Sequence, residues 1–454
     1  MPFVAVNPYT EEEISRHDAF DAARLEAALA GAAEGFRAWR ASSFAERAEV
    51  MNRVAELLEA EYPVAAELMT SEMGKTFSAA KGEAMKCALT IRYMAEHVES
   101  MLLPESLATA GSRSGVRYEP LGAVFAIMPW NFPLWQVVRM AAGTLMAGNV
   151  VAFKHAPNVP GCALYLEDLF ARAGAPRGVV TNLFVELDQV PTVIADDRVA
   201  AVTITGSERA GRAVAQLAGA SLKKCVLELG GADPFIVTGS ADLGLAVASA
   251  VSARVQNNGQ ACIAAKRFIV VRERAAEFLD AFVEAMGDVA MGDPMDASTT
   301  LGPLVSRAQR DLLAAQVSSS LERGARALVG GAVPAGRGFF YPATVLVDVP
   351  ADARAATEEL FGPVAVVRVA EDLEDAVAVA NATPWGLGAS VWSSDPDEVD
   401  RAIETLEVGM VFANAVVASM PELPFGGTKR SGFGRELSVL GAREFVNAKS
   451  FYVA

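Results

Sequence analysis

The sequence predicts an α/β fold built around two parallel sheets. From residue 121 onward, short runs rich in Val, Ile and Phe alternate with helical stretches, which is typical of parallel sheets covered by helices on both faces. A second series of such runs follows Gly230, so we expect a domain boundary near this residue. The chain has 454 residues, of which 52% are hydrophobic, and this is enough apolar material for two cores.

The first hundred residues predict amphipathic helices. Apolar residues recur at intervals of three and four in DAARLEAALAGAAEGFRAW, SFAERAEVMNRVAELLEAEYPVAAELMTSEMG and AAKGEAMKCALTIRYMAEHVESML. Asp21, Ser43 and Thr70 lie near plausible helix starts, and Gly74 is placed to end one helix. Each helix therefore has an apolar face to bury against another part of the fold.

The strand-like runs follow in two series. The first comprises LGAVFAIMP, VVAFKHA, VVTNLFV, VAAVTITG, CVLELGG and PFIVTG, and the second comprises RFIVV, ATVLV, VAVVRV, ASVWSS and GMVFAN. Two further segments, SRSGVRYEPLG (residues 112–122) and AREFVNAKSFYVA (residues 442–454), have no evident partner strand. Because unpaired strands expose edges that a second subunit can cover, we expect an oligomer.

Charge and composition exclude several classes of protein. The net charge is −16 and the pI about 4.8, so nucleic acid is not an expected partner. No signal-peptide pattern and no long uncharged apolar run occur, so we expect a cytoplasmic protein without membrane segments. The cysteines are far apart in sequence, which favours a reducing compartment and argues against a structural metal site. They are Cys87, Cys162, Cys225 and Cys262.

The turn in VTITGSERAG is a candidate anion site. Gly206 and Gly211 lie at a predicted strand-to-helix junction, where free N–H groups and the helix dipole favour a phosphate, although an ordinary tight turn fits equally well. Lys154 follows another strand of the same series, so we expect it at the same sheet edge, where it could bond ribose hydroxyls or phosphate. The alternative for Lys154 is a solvated lysine on a loop.

Cys262, in NNGQACIAAKRF, is the candidate nucleophile, with a small buried packing residue as the alternative. It follows turn-forming residues, and packing alone rarely places a cysteine on a loop. The preferred base is Glu228, at the end of an apolar strand where burial would raise the pKa of its carboxyl group. His155 is the alternative base and would suit a thiol hydrolase. Asn131, in MPWNFPLW, could donate its amide to an oxyanion or simply cap the next helix.

Seven motifs together resemble one known superfamily. They are FAIMPWNFPLWQ, VVAFKHAP, TITGSERAG, LELGGADP, NNGQACIAAKR, EELFGPV and PFGGTKRSGFGRE. Their order and spacing resemble those of the aldehyde dehydrogenase superfamily, over nearly the whole chain. Within it, the sequence is most similar to the bacterial NAD(P)-dependent succinate-semialdehyde dehydrogenases.

The resemblance implies a Rossmann-type cofactor-binding domain, an α/β catalytic domain and a small oligomerisation extension. The cofactor-binding domain would comprise residues 1–101 and 121–229, and the catalytic domain residues 230–436. The oligomerisation segments would be residues 102–120 and 437–454. The expected assembly is a homodimer or a homotetramer.

The resemblance also implies residue roles. Cys262 would attack the carbon of a small aldehyde, and Asn131 together with the Cys262 N–H would hold the oxyanion. Glu228 would activate the water that hydrolyses the resulting thioester, and NAD or NADP would accept the hydride. The residues implied around the cofactor are Trp130, Lys154, Pro157, Gly206, Ser207, Glu359 and Phe361.

Cofactor choice depends on Pro157. Strictly NAD-dependent members of the superfamily commonly carry a glutamate at this position, which excludes a 2′-phosphate. With proline in its place, we expect both NAD and NADP to be accepted.

Substrate choice depends on three positions. Arg139 matches an arginine of succinate-semialdehyde dehydrogenases, so it is implied to bind a distal carboxylate with help from Ser419. Gln256 stands where some members carry another arginine, and it can donate a hydrogen bond without a charge.

Three alternatives stay open. Arg139 could form an exposed ion pair instead of binding substrate. The protein could oxidise another aldehyde (glutarate semialdehyde, an aminoaldehyde or an aliphatic aldehyde), or it could be a non-catalytic protein with the same fold.

Overall fold

The computed structural model describes residues 2–454. The N-terminal part is a hairpin, β1 (Phe3–Val6) and β2 (Glu13–His17), followed by α1 (Ala22–Ala41), α2 (Phe44–Ala60), α3 (Tyr62–Met73) and α4 (Phe77–Met101). Asp21 and Ser43 cap α1 and α2 as predicted, because their side chains accept hydrogen bonds from first-turn N–H groups. The helix start predicted near Thr70 is wrong, since Thr70 lies inside α3. Gly74, with a φ of +85°, ends α3, and Thr76 caps α4.

The first large sheet follows β3 (Glu105–Ser106) and β4 (Arg113–Pro120). Its elements are β5 (Ala123–Ile127), α5 (Trp135–Met146), β6 (Val150–Lys154), α6 (Pro160–Arg172), β7 (Val180–Asn182), α7 (Val190–Ala195), β8 (Val199–Thr205), α8 (Glu208–Ala220) and β9 (Lys224–Glu228). These strands are parallel, in the order β9-β8-β5-β6-β7. Ile127, Lys154, Thr205 and Glu228 therefore end their strands along one edge of the sheet.

Helices cover both faces of this sheet. Val124 and Ala126 of β5 belong to the core that contains residues of α2 to α6, whereas Phe125 belongs to a second core with residues of α1, α7 and α8. Successive side chains of a strand point to opposite faces, so the sheet is buried on both sides. Burial on both sides explains why the strands of this sheet are uninterrupted apolar runs in the sequence.

The second large sheet has seven strands, in the order β12-β13-β14-β11-β10-β16-β17, and only β12 runs antiparallel to its neighbour. Its strands and helices are β10 (Pro234–Val237), α9 (Leu243–Val255), β11 (Arg267–Val271), α10 (Arg272–Gly287), α11 (Arg307–Glu322), β12 (Arg326–Val329), β13 (Thr344–Val347), α12 (Arg354–Thr357), β14 (Val364–Ala370), α13 (Leu373–Asn381), β15 (Trp385–Gly386, outside the sheet), β16 (Gly388–Trp392), α14 (Pro396–Thr405) and β17 (Met410–Ala413). The run PFIVTG forms β10. Its grouping with the first series is therefore wrong, because this strand pairs with β11 and β16.

The chain ends with β18 (Thr428–Lys429), β19 (Gly432–Phe433), α15 (Ser438–Ala442) and β20 (Val446–Val453). β20 pairs with β4 along its whole length, and β3 completes this small sheet. The two segments predicted to lack a partner therefore pair with each other. β18 pairs with β15, and β19 adds an antiparallel strand to β9 of the first large sheet. The predicted α/β fold is confirmed, and within residues 2–454 no helix is both long and apolar enough to span a membrane.

Candidate active site

Cys262 lies where two cavities meet, one of about 300 Å³ and one of about 280 Å³, and it lines both. The loop that carries it begins with a 3₁₀ turn (Gln256–Gly259), in which Asn257 and Asn258 have φ values of +52° and +58°. Their buried amides stabilise this uncommon backbone, because each donates to two carbonyl groups. The predicted loop position of Cys262 is confirmed.

The 300 Å³ cavity lies at the carboxyl edge of the first large sheet. Its wall includes Trp130, Asn131, Gly206, Ser207, Glu228, Glu359 and Phe361, all of which the sequence singles out. Ser207 caps α8, a helix of 13 residues whose N-terminus thus faces the cavity. A helix N-terminus at the end of a parallel strand suits a pyrophosphate, so the residues present fit a dinucleotide.

Aromatic and acidic side chains complete this wall. The rings of Trp130 and Phe361 meet edge to face with centroids 5.6 Å apart. The carboxylate of Glu359 accepts a hydrogen bond from the Gly231 N–H at 3.2 Å and lies 3.3 Å from the Lys266 ammonium. Glu359 is therefore held at the cavity by the protein itself.

Lys154 and Pro157 are not among the residues that line this cavity. Lys154 is buried at the end of β6, where its ammonium is 3.4 Å from the His155 carbonyl and 5.5 Å from the centre of the Phe3 ring. Pro157 is exposed on the following loop. Their roles at the cofactor stay predictions. The alternative of a solvated Lys154 is wrong, because the residue is only 6% exposed.

Asn131 is buried beside the thiol-bearing loop. Its side-chain amide donates to the Gln260 carbonyl at 3.0 Å, which leaves a second N–H of that amide for another acceptor. His155 holds the same segment by bonding the Pro133 carbonyl through Nε2 at 2.7 Å, while Nδ1 accepts from the Ala156 N–H. Both ring nitrogens are thus occupied, and burial lowers the pKa of His155 to about 4. His155 is consequently a poor base for Cys262, and the hydrolase alternative loses its support.

Glu228, the last residue of β9, is only 2% exposed and lines the 300 Å³ cavity with Cys262. Burial, together with the nearby Glu436 carboxyl group, raises the pKa of Glu228 well above its usual range. Its Oε1 atom has no hydrogen-bond partner among residues 2–454. A buried, unpaired carboxyl group beside a thiol is suited to exchange protons rather than to make a permanent ion pair.

The pKa of the Cys262 thiol is also raised. Burial raises it to about 11, although the Arg139 and Lys266 charges act in the opposite direction. The thiol is therefore mostly protonated near neutral pH, and nucleophilic attack requires a proton acceptor. Of the other cysteines, Cys87 and Cys162 are fully buried.

The 280 Å³ cavity lies on the other side of Cys262. The residues predicted to contact substrate, Arg139, Gln256 and Ser419, all line it. Arg139 is buried in an ion pair with Glu436, and its Nη2 donates to Thr205 Oγ1 at 3.3 Å. An exposed ion pair is thus the wrong interpretation of Arg139. Its direct contact with substrate stays a prediction, because the charge it would offer is already balanced by Glu436.

Sequence reasoning missed several charged residues of the site. Lys86 lines the 280 Å³ cavity and donates to Ser419 Oγ at 2.6 Å, and Glu83 lines the same wall. Glu436 lies behind Arg139, and Lys266 donates to the Cys262 carbonyl at 2.8 Å. The sequence spacing of Ala79, Glu83 and Lys86 predicts that they share one face of α4. The sequence alone does not show that this face borders Cys262.

Known proteins resemble the chain in sequence and in structure. The model of the aldehyde dehydrogenase family matches residues 2–451. A succinate-semialdehyde dehydrogenase [NADP(+)] of Mycobacterium avium is 50% identical over 458 residues, covering 100% of this chain and 97% of that protein. A related enzyme of Mycobacterium tuberculosis is 50% identical over 457 residues, covering 100% of both chains.

Solved structures agree with the sequence relatives. The succinic semialdehyde dehydrogenase of Streptococcus pyogenes, solved with NADP+, superposes with a TM-score of 0.97 at 37% identity and covers 99% of each chain. The succinate-semialdehyde dehydrogenase of Burkholderia pseudomallei gives a TM-score of 0.96 at 34% identity, covering 100% of this chain and 95% of that one. The chain described here belongs to the aldehyde dehydrogenase family.

Proposed function

We propose that this protein oxidises succinate semialdehyde to succinate with NADP+. The observation that carries the proposal is the position of Cys262 between a cavity that fits a dinucleotide and a second cavity that has cationic side chains in its wall. Family membership supports aldehyde oxidation, and the names of the half-identical relatives support this substrate and cofactor.

In the first step, the Cys262 sulfur adds to the aldehyde carbon. Glu228 accepts the thiol proton, because it is the buried carboxyl group that lines the same cavity. The carbonyl oxygen gains the negative charge and is stabilised by the free N–H of the Asn131 amide and by the Cys262 backbone N–H. Attack thus produces a thiohemiacetal on this chain's own sulfur.

The second step converts that carbon to a thioester. The chemistry that bound NADP+ supplies is acceptance of the hydride, with formation of NADPH. Glu228 first releases the thiol proton to solvent and becomes a carboxylate again. It then takes a proton from a water molecule, whose oxygen attacks the thioester carbon. The carbon–sulfur bond breaks, the Cys262 sulfur takes that proton from Glu228, and the acid leaves as succinate after losing its own proton to solvent. Burial raises the pKa of this carboxyl group well above its usual range, so its ionised form is a stronger base than an exposed carboxylate.

Pro157 bears on the cofactor. The loop after Lys154 has proline at this position and no acidic side chain, so no carboxylate on it repels the 2′-phosphate of NADP+. The neighbour from Streptococcus pyogenes was solved with NADP+. We infer that NADP+ is preferred and that NAD+ is also accepted.

The assembly belongs to the same proposal. Leu103, Leu107 and Tyr452 are 57%, 53% and 59% exposed on or beside the small sheet of β3, β4 and β20. An apolar rim on this sheet suits contact with a second copy, as expected of residues 102–120 and 437–454. A homodimer or homotetramer should elute with a corresponding mass in size-exclusion chromatography with light scattering.

The function is tested by steady-state kinetics on the purified protein. Formation of reduced nicotinamide is followed with succinate semialdehyde, glutarate semialdehyde, butanal and benzaldehyde, each with NADP+ and with NAD+. We expect the highest kcat/KM for succinate semialdehyde with NADP+. A higher kcat/KM for butanal would be consistent with aldehyde oxidation and would contradict succinate semialdehyde as the substrate. Activity of Cys262→Ala equal to that of the wild type would contradict the mechanism through Cys262.

A further inference from the structure

The charges in the wall of the 280 Å³ cavity are unequally compensated. Three charged residues line it, namely Glu83, Lys86 and Arg139. Glu83 forms an ion pair with Lys75 and accepts hydrogen bonds from the N–H groups of Leu134 and Trp135. Arg139 forms its ion pair with Glu436. Two of the three wall charges are thus balanced by the protein.

Lys86 is the charge that remains. Within residues 2–454, its ammonium contacts the Ser419 hydroxyl at 2.6 Å and lies 4.3 Å from the centre of the Trp135 ring, but it forms no ion pair with a carboxylate. Burial lowers the pKa of Lys86 to about 8, and the nearby Arg139 charge acts in the same direction. An ammonium that is costly to bury and has no counter-ion is stabilised by a ligand that brings one.

The contacts of Lys86 leave donors for that ligand. An ammonium group has three N–H donors, of which one is given to Ser419 and one faces the Trp135 ring. Because Ser419 Oγ accepts from Lys86, its own hydroxyl hydrogen is free to point elsewhere. The pair can therefore offer two hydrogen bonds to one carboxylate.

We propose that Lys86, with Ser419, binds the distal carboxylate of the substrate, and that Arg139 mainly supports Glu436. This inference rests on the proposed function, because it concerns the far end of the same aldehyde. Lys86 faces the cavity from α4, whereas Cys262 lines it from the loop before β11, so an aldehyde bound to the thiol extends toward the ammonium. Lys86 is thus a specificity residue rather than a catalytic one.

The test compares Lys86→Met and Lys86→Arg with wild type. Butanal is the matched substrate, because it has the same carbon chain as succinate semialdehyde and lacks the carboxylate. We expect Lys86→Met to lower the ratio of kcat/KM for the acid to that for butanal by about 10- to 100-fold, mostly through KM. Lys86→Arg should retain most of the preference because it keeps the positive charge.

Lys81→Met is the control, since Lys81 is exposed on the same helix and does not line the cavity. It should leave the ratio unchanged. If Lys86→Met folds poorly by thermal melting, Lys86→Gln replaces it and carries the same expectation. A ratio that stays within about twofold of wild type in the uncharged variant overturns the proposal, because the carboxylate then binds elsewhere.

Failure of the proposed function is distinguishable from failure of this inference. A wild-type enzyme without preference for the acid over butanal contradicts the proposed substrate. In that case succinate is used as an inhibitor of butanal oxidation. Inhibition that weakens about 10-fold or more in Lys86→Met supports the carboxylate site, and equal inhibition of both proteins rejects it.

Discussion

Arg139 and Glu436, which are 297 positions apart in sequence, form an ion pair with side chains only 2% exposed. The Arg139 guanidinium also lies 4.2 Å from the centre of the Phe425 ring. The pair lies close to Glu228, since the charges of both residues affect the pKa of the Glu228 carboxyl group. The two charged groups therefore connect the substrate cavity to the candidate base.

Removal of one partner should destabilise the protein. Arg139→Met leaves the Glu436 carboxylate buried without a counter-ion, and we expect a loss of about 3–5 kcal/mol in the free energy of unfolding. The double variant Arg139→Met/Glu436→Leu should recover part of this loss because no buried charge remains. Denaturant unfolding monitored by fluorescence measures both. A single-variant loss below about 1 kcal/mol would contradict the importance of the buried pair.

His155 should contribute a pH-dependent stability. Burial lowers its pKa from 6.5 to about 4, so the folded state favours the neutral ring. This stabilisation is complete above pH 6.5 and is lost as the pH falls toward about 4, and its size is about 3 kcal/mol. His155→Gln keeps a donor for the Pro133 carbonyl and cannot titrate. The wild type should therefore lose about 3 kcal/mol more than the variant over this range, whereas parallel curves would refute the assignment.

Alkylation of Cys262 should accelerate steeply with pH. Because burial raises the pKa of this thiol to about 11, only about one thiol in ten thousand is ionised at pH 7 in the free enzyme. The rate of reaction with iodoacetamide should rise about tenfold per pH unit between about pH 7 and 9. Cys262→Ala gives the background from Cys225. A plateau near pH 8 would show that the thiol is activated without a bound ligand.

Gly426 should be needed for the position of Glu228. A Cβ atom at Gly426 would lie 2.6 Å from Glu228 Oε1, and the glycine has a φ of +152°. Gly426→Ala should displace the carboxyl group and slow both proton transfers that involve Glu228, with kcat falling about 10-fold or more. Gly219→Ala, where nothing lies within 4 Å of the added carbon, is the control. Equal kcat values for the two variants would show that Glu228 tolerates the displacement.

Positions that depend on a short stretch of sequence were predictable, whereas contacts between residues far apart in the sequence were not. The loop position of Cys262 and the strand-end position of Glu228 follow from a turn and an apolar run that lie next to them in sequence. The partners of Arg139 and Ser419 are Glu436 and Lys86, and packing of remote elements brings them together. The hydrophobic periodicity of one helix or strand does not show which distant residues its side chains contact. The strand PFIVTG was assigned to the wrong series for the same reason, since sheet membership depends on pairing with β11 and β16.

The most direct test of the account is identification of the thioester. Glu228→Gln is mixed with succinate semialdehyde and NADP+ at about pH 9, where solvent can take the thiol proton in place of Glu228, and is then quenched in acid and digested for mass spectrometry. We predict one succinyl group on the peptide that contains Cys262, present only when both ligands are added. Formation of NADPH without a succinyl group on Cys262, or with one on Cys225, would contradict Cys262 as the nucleophile.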